Sequence, residues 1–214
     1  MRIPKKIKVG PMRYKVLYPH TFIEDSSYFG LHDGCSSIIK ISDTENDTIR
    51  NPLCIVETLL HECIHAIDFV FVGQKLEEKT VEKFSEHLLQ VFVDNDINLY
   101  DNDIMPETVI VSGFTYKVIF PHTFVDTADD IASSINRPKL KFYISGEENG
   151  EIHSNMFIKM NLFYMILCSI LRLNCFNGGE IDFDLKTLSV GLLQVFVENK
   201  LTELIKDAKK ENMG

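Results

Sequence analysis

The chain has no excess of basic residues. Its 22 lysines and arginines face 31 acids, giving a net charge of −9 and a pI near 5.2. No basic cluster extends beyond Lys5-Lys6-Ile7-Lys8 and Lys209-Lys210. Neutralising a phosphate backbone needs a basic patch, so no direct nucleic-acid partner is expected. Cysteine is sparse and unpatterned: Cys35, Cys54, Cys63, Cys168 and Cys175 are odd in number and lack metal-site spacing. That argues against a disulfide framework and points to a reducing compartment. No apolar core follows the charged start Met-Arg-Ile-Pro-Lys-Lys-Ile-Lys-Val, so no secretory signal is read there. Leu162 to Phe176 is strongly apolar but contains Arg172 and Asn174. It falls short of the roughly 18 residues a membrane span requires and reads as a buried helix. The expectation is a cytoplasmic protein without a membrane segment.

What is present describes a protein able to fold. Hydrophobic residues make up 45% and charged residues 25% of the chain, the balance of an ordinary globular domain. At 214 residues it accommodates one large domain or two of about 100 residues each. An internal duplication favours two. Arg13-Tyr-Lys-Val-Leu-Tyr-Pro-His-Thr-Phe22 recurs as Thr115-Tyr-Lys-Val-Ile-Phe-Pro-His-Thr-Phe124, a shift of 102 with seven of ten positions identical. Leu88-Leu-Gln-Val-Phe-Val93 recurs unchanged at Leu192 to Val197, a shift of 104. Two copies make a tandem pair rather than a solenoid. The polar run Asp94 to Asp103 is the natural linker, and Pro106 opens the second unit. The expected units are residues 1–103 and 104–214.

Within the first copy, Ile7 to Val9 and Tyr14 to Tyr18 flank Gly10-Pro11 and read as paired strands, with further strands near Tyr28 to His32 and Ser37 to Ile41. Asn51-Pro52 supplies an N-cap and a proline at the first helical position of an apolar run that reaches Val72 and stops at Gly73. A second helix is expected from about Leu76 to Val93, with Val81, Phe84, Leu88 and Val91 at helical spacing and Glu77 and Glu78 in its first turn. Each copy is therefore strands followed by two helices, an α+β layout.

The first of those helices carries His61-Glu62-Cys63-Ile64-His65. Four residues advance a helix by just over one turn, so the two imidazoles share a face and can meet one metal ion. Glu62 sits about 100° round, beside the metal rather than on it. Zinc accepts two neutral imidazoles and one carboxylate while keeping a position for water. Chance writes this motif in roughly two chains per hundred of this length, so its surroundings matter. Asp68, three residues beyond His65, shares the histidine face and could fix the tautomer of a ligand histidine from behind, or be a solvated acid near a helix end. His20 and His122 recur in the paired Pro-His-Thr-Phe segments, which favours a shared packing or turn role. His87 is too distant for a ligand. His32 and Tyr28 could reach the cleft and steady an oxyanion.

The segment Glu78-Lys-Thr-Val-Glu82-Lys-Phe84-Ser85-Glu-His-Leu88-Leu89 resembles the glutamate-bearing helix of gluzincin peptidases, in particular ImmA/IrrE-type proteins and the small metallopeptidase-like proteins of bacteriophages. The resemblance covers about 95 residues of the first copy. It implies a zincin-like fold, a Zn2+ cofactor held by His61, His65 and Glu78, and Glu62 as general base. Glu82 stands where the family places an Asp or Asn that supports a zinc-bound histidine, a departure that needs different geometry. Glu77, Glu82 and Glu86 remain rival ligands. The strand at Ser37 to Ile41 would resemble the edge strand that receives an extended substrate.

Counting back from the Leu-Leu-Gln-Val-Phe-Val anchor places His61, Glu62 and His65 on Met165, Ile166 and Ser169, and Glu78 and Glu82 on Asp182 and Lys186. The second copy is expected to keep the fold without the metal site. Its apolar helix, with Leu162, Phe163, Met165, Ile166, Leu167, Ile170 and Leu171, covers most of its circumference and should be buried on more than one side. Intramolecular burial is the expectation, and a homodimer or a specificity platform are arrangements it also allows. The expected function is that of a phage-encoded zinc metallopeptidase acting on a protein or peptide in the host cytoplasm. The alternative is a non-catalytic, zinc-stabilised inhibitor or sequestering factor.

Overall fold

The computed structural model describes residues 1–23, 27–95, 97–100, 105–124, 132–148, 150–174 and 183–213. Asp182 and the expected boundary residue Asp103 lie outside them. The fold is α+β, and the duplication is visible strand by strand. The first repeat has β1 (Lys6–Val9), β2 (Met12–Leu17), β3 (Gly30–Asp33), β4 (Ile38–Ile41) and a short hairpin of β5 (Thr44–Glu45) and β6 (Thr48–Ile49). Helices α1 (Pro52–Ile67) and α2 (Glu78–Asp94) follow. The second repeat has β7 (Thr108–Val111), β8 (Phe114–Ile119), β9 (Ser133–Asn136), β10 (Lys141–Ile144), β11 (Glu147–Glu148), β12 (Glu151–Ile152), α3 (Asn155–Asn174) and α4 (Leu185–Glu198). A last helix, α5 (Leu201–Met213), packs on α1 and α2.

The two main sheets share one topology, β1-β2-β4-β3 and β7-β8-β10-β9, with the central pair parallel and both outer pairs antiparallel. Because β3 and β4 form a hairpin that joins the sheet through β4, the free edge is β3. The strand near Ser37 to Ile41 is interior, which corrects the expectation that it receives a substrate.

The repeats are in register at a shift of 102 through β8, 103 from β9 through α3, and 104 in α4. The two extra residues are therefore two separate single insertions. Burial along α1 and α3 superimposes position for position at 103: Ile55 on Ile158, Leu59 on Leu162, Ile64 on Leu167 and Ile67 on Ile170, all in the core. Thr58 Oγ1 donates to Cys54 O as Asn161 Nδ2 donates to Phe157 O, again at 103. His61, Glu62 and His65 thus correspond to Tyr164, Met165 and Cys168, one residue earlier than counting from the later anchor gives.

Helix α1 starts where the sequence places it, with the Asn51 side chain accepting from Leu53 N at 2.8 Å and Pro52 in the first turn. It does not run on as an α-helix to Val72. After Ile67 the chain widens into a π-turn over Asp68–Val72, closed by Gly73 at φ +91°. A residue with a Cβ resists that left-handed conformation, which is why glycine ends the run. Helix α2 buries Val81, Phe84, Leu88 and Val91, the stripe read from its spacing.

One continuous hydrophobic core runs through both repeats. Phe92 of α2 stacks on Phe196 of α4 with centroids 4.6 Å apart and lies 5.8 Å from Phe163 of α3. The seven apolar residues of α3 named above are all buried. At 20 residues the helix is longer than the sequence run suggests, and it is long and apolar enough to cross a membrane by length and composition. Its apolar faces are covered by β9 and β10 on one side and by α2 and α4 on the other.

Candidate functional site

The site assembles where α1, α2 and the free edge of β3 meet. His61 and His65, one turn apart on α1, bring their Nε2 atoms to 3.1 Å of each other. Glu78, the first residue of α2, lays its carboxylate across both, with Oε1 2.9 Å from His61 Nε2 and Oε2 3.1 Å from His65 Nε2. Each of the three offers a ligand atom, and these lie within 4.8 Å of one another. Burial, then the neighbouring His61, hold His65 below the usual histidine range, which favours the neutral imidazole a metal needs. Two imidazole nitrogens and one exposed carboxylate at this convergence suit a divalent transition metal.

Asp68 fixes how Glu78 arrives. It is buried, and its two carboxylate oxygens accept from Lys75 N at 3.0 Å and Leu76 N at 3.1 Å. Its carbonyl also accepts from Gly73 N and Gln74 N. Asp68 is thus neither a solvated acid nor, by any hydrogen bond to a ring nitrogen, a support for a histidine. The π-turn swings it toward the connection between α1 and α2, which it pins so that α2 opens over the histidines. Glu82, one turn along α2, lines the cleft without bonding to either histidine. Among the described residues, neither Asp68 nor Glu82 hydrogen-bonds a ring nitrogen of His61 or His65.

Glu62 is 4% exposed and lines the same cleft. Burial, and then the charge of Glu78, push its pKa up to about 8, while the backbone N–H of His32 donates to it and opposes the shift. Its place depends on Gly30. A Cβ at that position would stand 2.2 Å from Glu62 Oε1 and 2.7 Å from Thr58 Cγ2. The bare glycine backbone of the edge strand is what lets the carboxylate lie against it.

The cleft holds about 370 Å³ and is also lined by Tyr28, Arg50, Glu57 and Glu86. Glu57 and Glu86 carry forward spacings visible in the sequence, since Glu57-His61-His65 and Glu78-Glu82-Glu86 each recur every four residues. Burial raises the Glu57 carboxyl, and Ser85 Oγ donates to it at 2.7 Å, tying α1 to α2. The one lysine or arginine that lines it among the described residues, Arg50, donates to Ser42 O, Cys54 O and Thr58 Oγ1 and lies 4.4 Å over the Phe29 ring. It is committed to structure.

Four further histidines take other parts, and His153 packs on Phe157 with centroids 4.5 Å apart. His32 does not face the cleft: its ring stacks behind His65, with centroids 6.5 Å apart and planes 9° from parallel, and meets Phe69 edge-on at 5.8 Å. That removes it from the oxyanion role weighed above, and only Tyr28 of that pair lines the cleft. His20 and His122 do the same packing in each repeat, edge-on to Phe22 and Phe124. His87 Nδ1 lies 3.4 Å from Ser112 Oγ in the β7–β8 turn, away from the site. Comparison of the chain with protein-family models, curated proteins and solved structures finds no match.

Proposed function

We propose that this protein is a zinc-dependent metallopeptidase of the gluzincin kind, built from two zincin-like repeats of which only the first works. The single observation that carries the reading is the convergence of His61, His65 and Glu78 with the Glu62 carboxylate in one cleft beside a free strand edge. His61, His65 and Glu78 would hold the ion. Zinc, when bound, supplies a Lewis acid that polarises a carbonyl and lowers the pKa of water towards about 7.

The chain's own residues supply the rest. Glu62 takes the proton of the attacking water on its carboxylate and delivers it to the amine nitrogen as the C–N bond breaks. The His32 N–H orients that carboxylate, and the edge of β3 offers backbone groups to an extended substrate strand. On the resemblance of the Glu78 helix, the substrate is an intracellular protein and the setting is the cytoplasm, of the host cell for a phage-encoded enzyme.

One observation favours a second reading, a zinc-stabilised interaction protein. The second repeat keeps the same sheet and helices with Tyr164, Met165 and Cys168 at the three motif positions, so here the fold persists without the chemistry. Metal analysis of the purified chain beside His61→Ala and Glu78→Ala, followed by a proteolysis screen of wild type against Glu62→Gln, separates the readings. Stoichiometric zinc in wild type alone, with cleavage lost in Glu62→Gln, is the expected result. Absence of zinc from wild type sinks both readings, and zinc with no effect of Glu62→Gln selects the second.

A further inference from the structure

A second cavity lies in the repeat that has no metal motif. It holds about 840 Å³ between β8, β9, β10 and the end of α3, within the range of small-molecule sites, about 300–1,000 Å³. Its wall is mainly apolar, including Ile135, Leu140 and Leu173, and its cations are Arg137 and Arg172. Among the described residues no carboxylate lines it, although the chain carries 31 acids. Neither arginine is in an ion pair among the described residues. Ser169, also in the wall, is 2% exposed, and its Oγ has no hydrogen-bond partner among the described residues.

The first repeat shows what the cavity replaced. At the shift of 103, Arg172, Arg137, Ile135 and Ser169 correspond to Phe69, Gly34, His32 and Ala66. There the space is full. The Phe69 ring presses on Gly34, so that a Cβ on the glycine would stand 2.8 Å from it, and it meets the His32 ring at 5.8 Å. An aromatic plug on a glycine has become a pair of arginines, and an inert alanine has become a hydroxyl.

We infer that this cavity binds a small amphiphilic carboxylate, its apolar body against Ile135, Leu140 and Leu173 and its anionic head on Arg137 and Arg172. Arginine forks match a carboxylate in two parallel bonds. The site is independent of the metal centre and stands if the peptidase reading falls.

The test is calorimetric titration of the full chain with decanoate, using decanol as a neutral probe with the same tail. Wild type should bind one decanoate per chain, at least about tenfold more tightly than decanol, the difference expected of charge-assisted bonds. Arg137→Ala with Arg172→Ala should remove that preference; both side chains are exposed, so the fold is retained. Ser169→Leu, which fills the wall, should abolish binding of both probes. Absence of saturable heat in wild type overturns the inference. So does equal affinity for the two probes, or a double variant that still prefers decanoate.

Discussion

Asn95 and Asn199 hold the same position in the two repeats, and each closes the outer edge of the other repeat's sheet. Asn95, at the end of α2, accepts from Ile110 N at 2.8 Å and donates to Ile110 O at 2.9 Å on β7. Asn199, at the end of α4, does the same for Lys8 N and Lys8 O on β1, at 2.8 and 2.9 Å. The exchange is reciprocal, as across a two-fold axis. An exposed strand edge is an unpaired template, and here each repeat supplies the cap for its twin.

The first expected outcome follows from that exchange. Asn199→Ala leaves both backbone groups of Lys8 without their partner at a half-buried edge, at a cost of about 2–3 kcal/mol. Because the core is continuous, both repeats should unfold together in one denaturant transition whose midpoint falls with unchanged slope. Two separate transitions in wild type would show instead that the repeats are energetically independent.

Asp68 should act on the metal centre at a distance. Asp68→Ala releases Lys75 N and Leu76 N, the two groups that fix the approach to α2, and Glu78 lies two residues beyond Leu76. Zinc affinity measured by competition with a chelating dye should fall about 10–100-fold, the scale of losing an orienting partner. Asp68→Asn, which keeps one acceptor oxygen, should fall between that variant and wild type. Unchanged affinity in Asp68→Ala would mean that packing alone places Glu78.

The sequence reveals the elements better than their arrangement. Asn51-Pro52, Gly73 and the stripe through Val81, Phe84, Leu88 and Val91 are local signals, and local physics sets them. Of the glutamates that α2 offers, Glu78 is the one that reaches the histidines, a choice helical spacing alone leaves open. What fails is whatever depends on neighbours far along the chain. Sheet order is not sequential, so β3 rather than β4 forms the edge. Two anchors fix the total insertion between the repeats but not its division, so the second motif is displaced by one residue. The π-turn after Ile67 breaks the periodicity that places Asp68 behind a histidine. Gly30 left a trace, since glycine inside a strand often marks a close approach, but nothing in the sequence names what approaches.

Glu62 should make the metal-free protein less stable in alkali. Its folded pKa of about 8 lies above its ordinary 4.5, so the folded state holds a proton the unfolded chain releases as pH rises between those values. Stability therefore falls as pH rises through that window, by about 2 kcal/mol between about pH 6.5 and 8.5. His32, held down at about 4, contributes the opposite slope, but only below about pH 6.5. Urea unfolding of chelator-treated protein at the two pH values should show the loss in wild type and not in Glu62→Gln. Equal slopes for both would place the titration elsewhere.

Gly30→Ala tests whether the position of Glu62, rather than its presence, matters. The new methyl group would stand 2.2 Å from Glu62 Oε1, closer than any van der Waals contact, so one side must yield. The methyl is carried by a strand hydrogen-bonded to β4, whereas the carboxylate ends a side chain with rotatable bonds, so the carboxylate moves. Displacement by about 1 Å of a group that handles the proton costs on the order of 100-fold in turnover. The atoms nearest the methyl belong to Glu62 and Thr58 rather than to His61, His65 or Glu78, so zinc content should be unchanged. The stability cost should stay within about 1–3 kcal/mol, as for other overpacked sites. A Gly30→Ala protein that keeps both its zinc and full peptidase activity would show that turnover does not depend on where the edge of β3 holds Glu62.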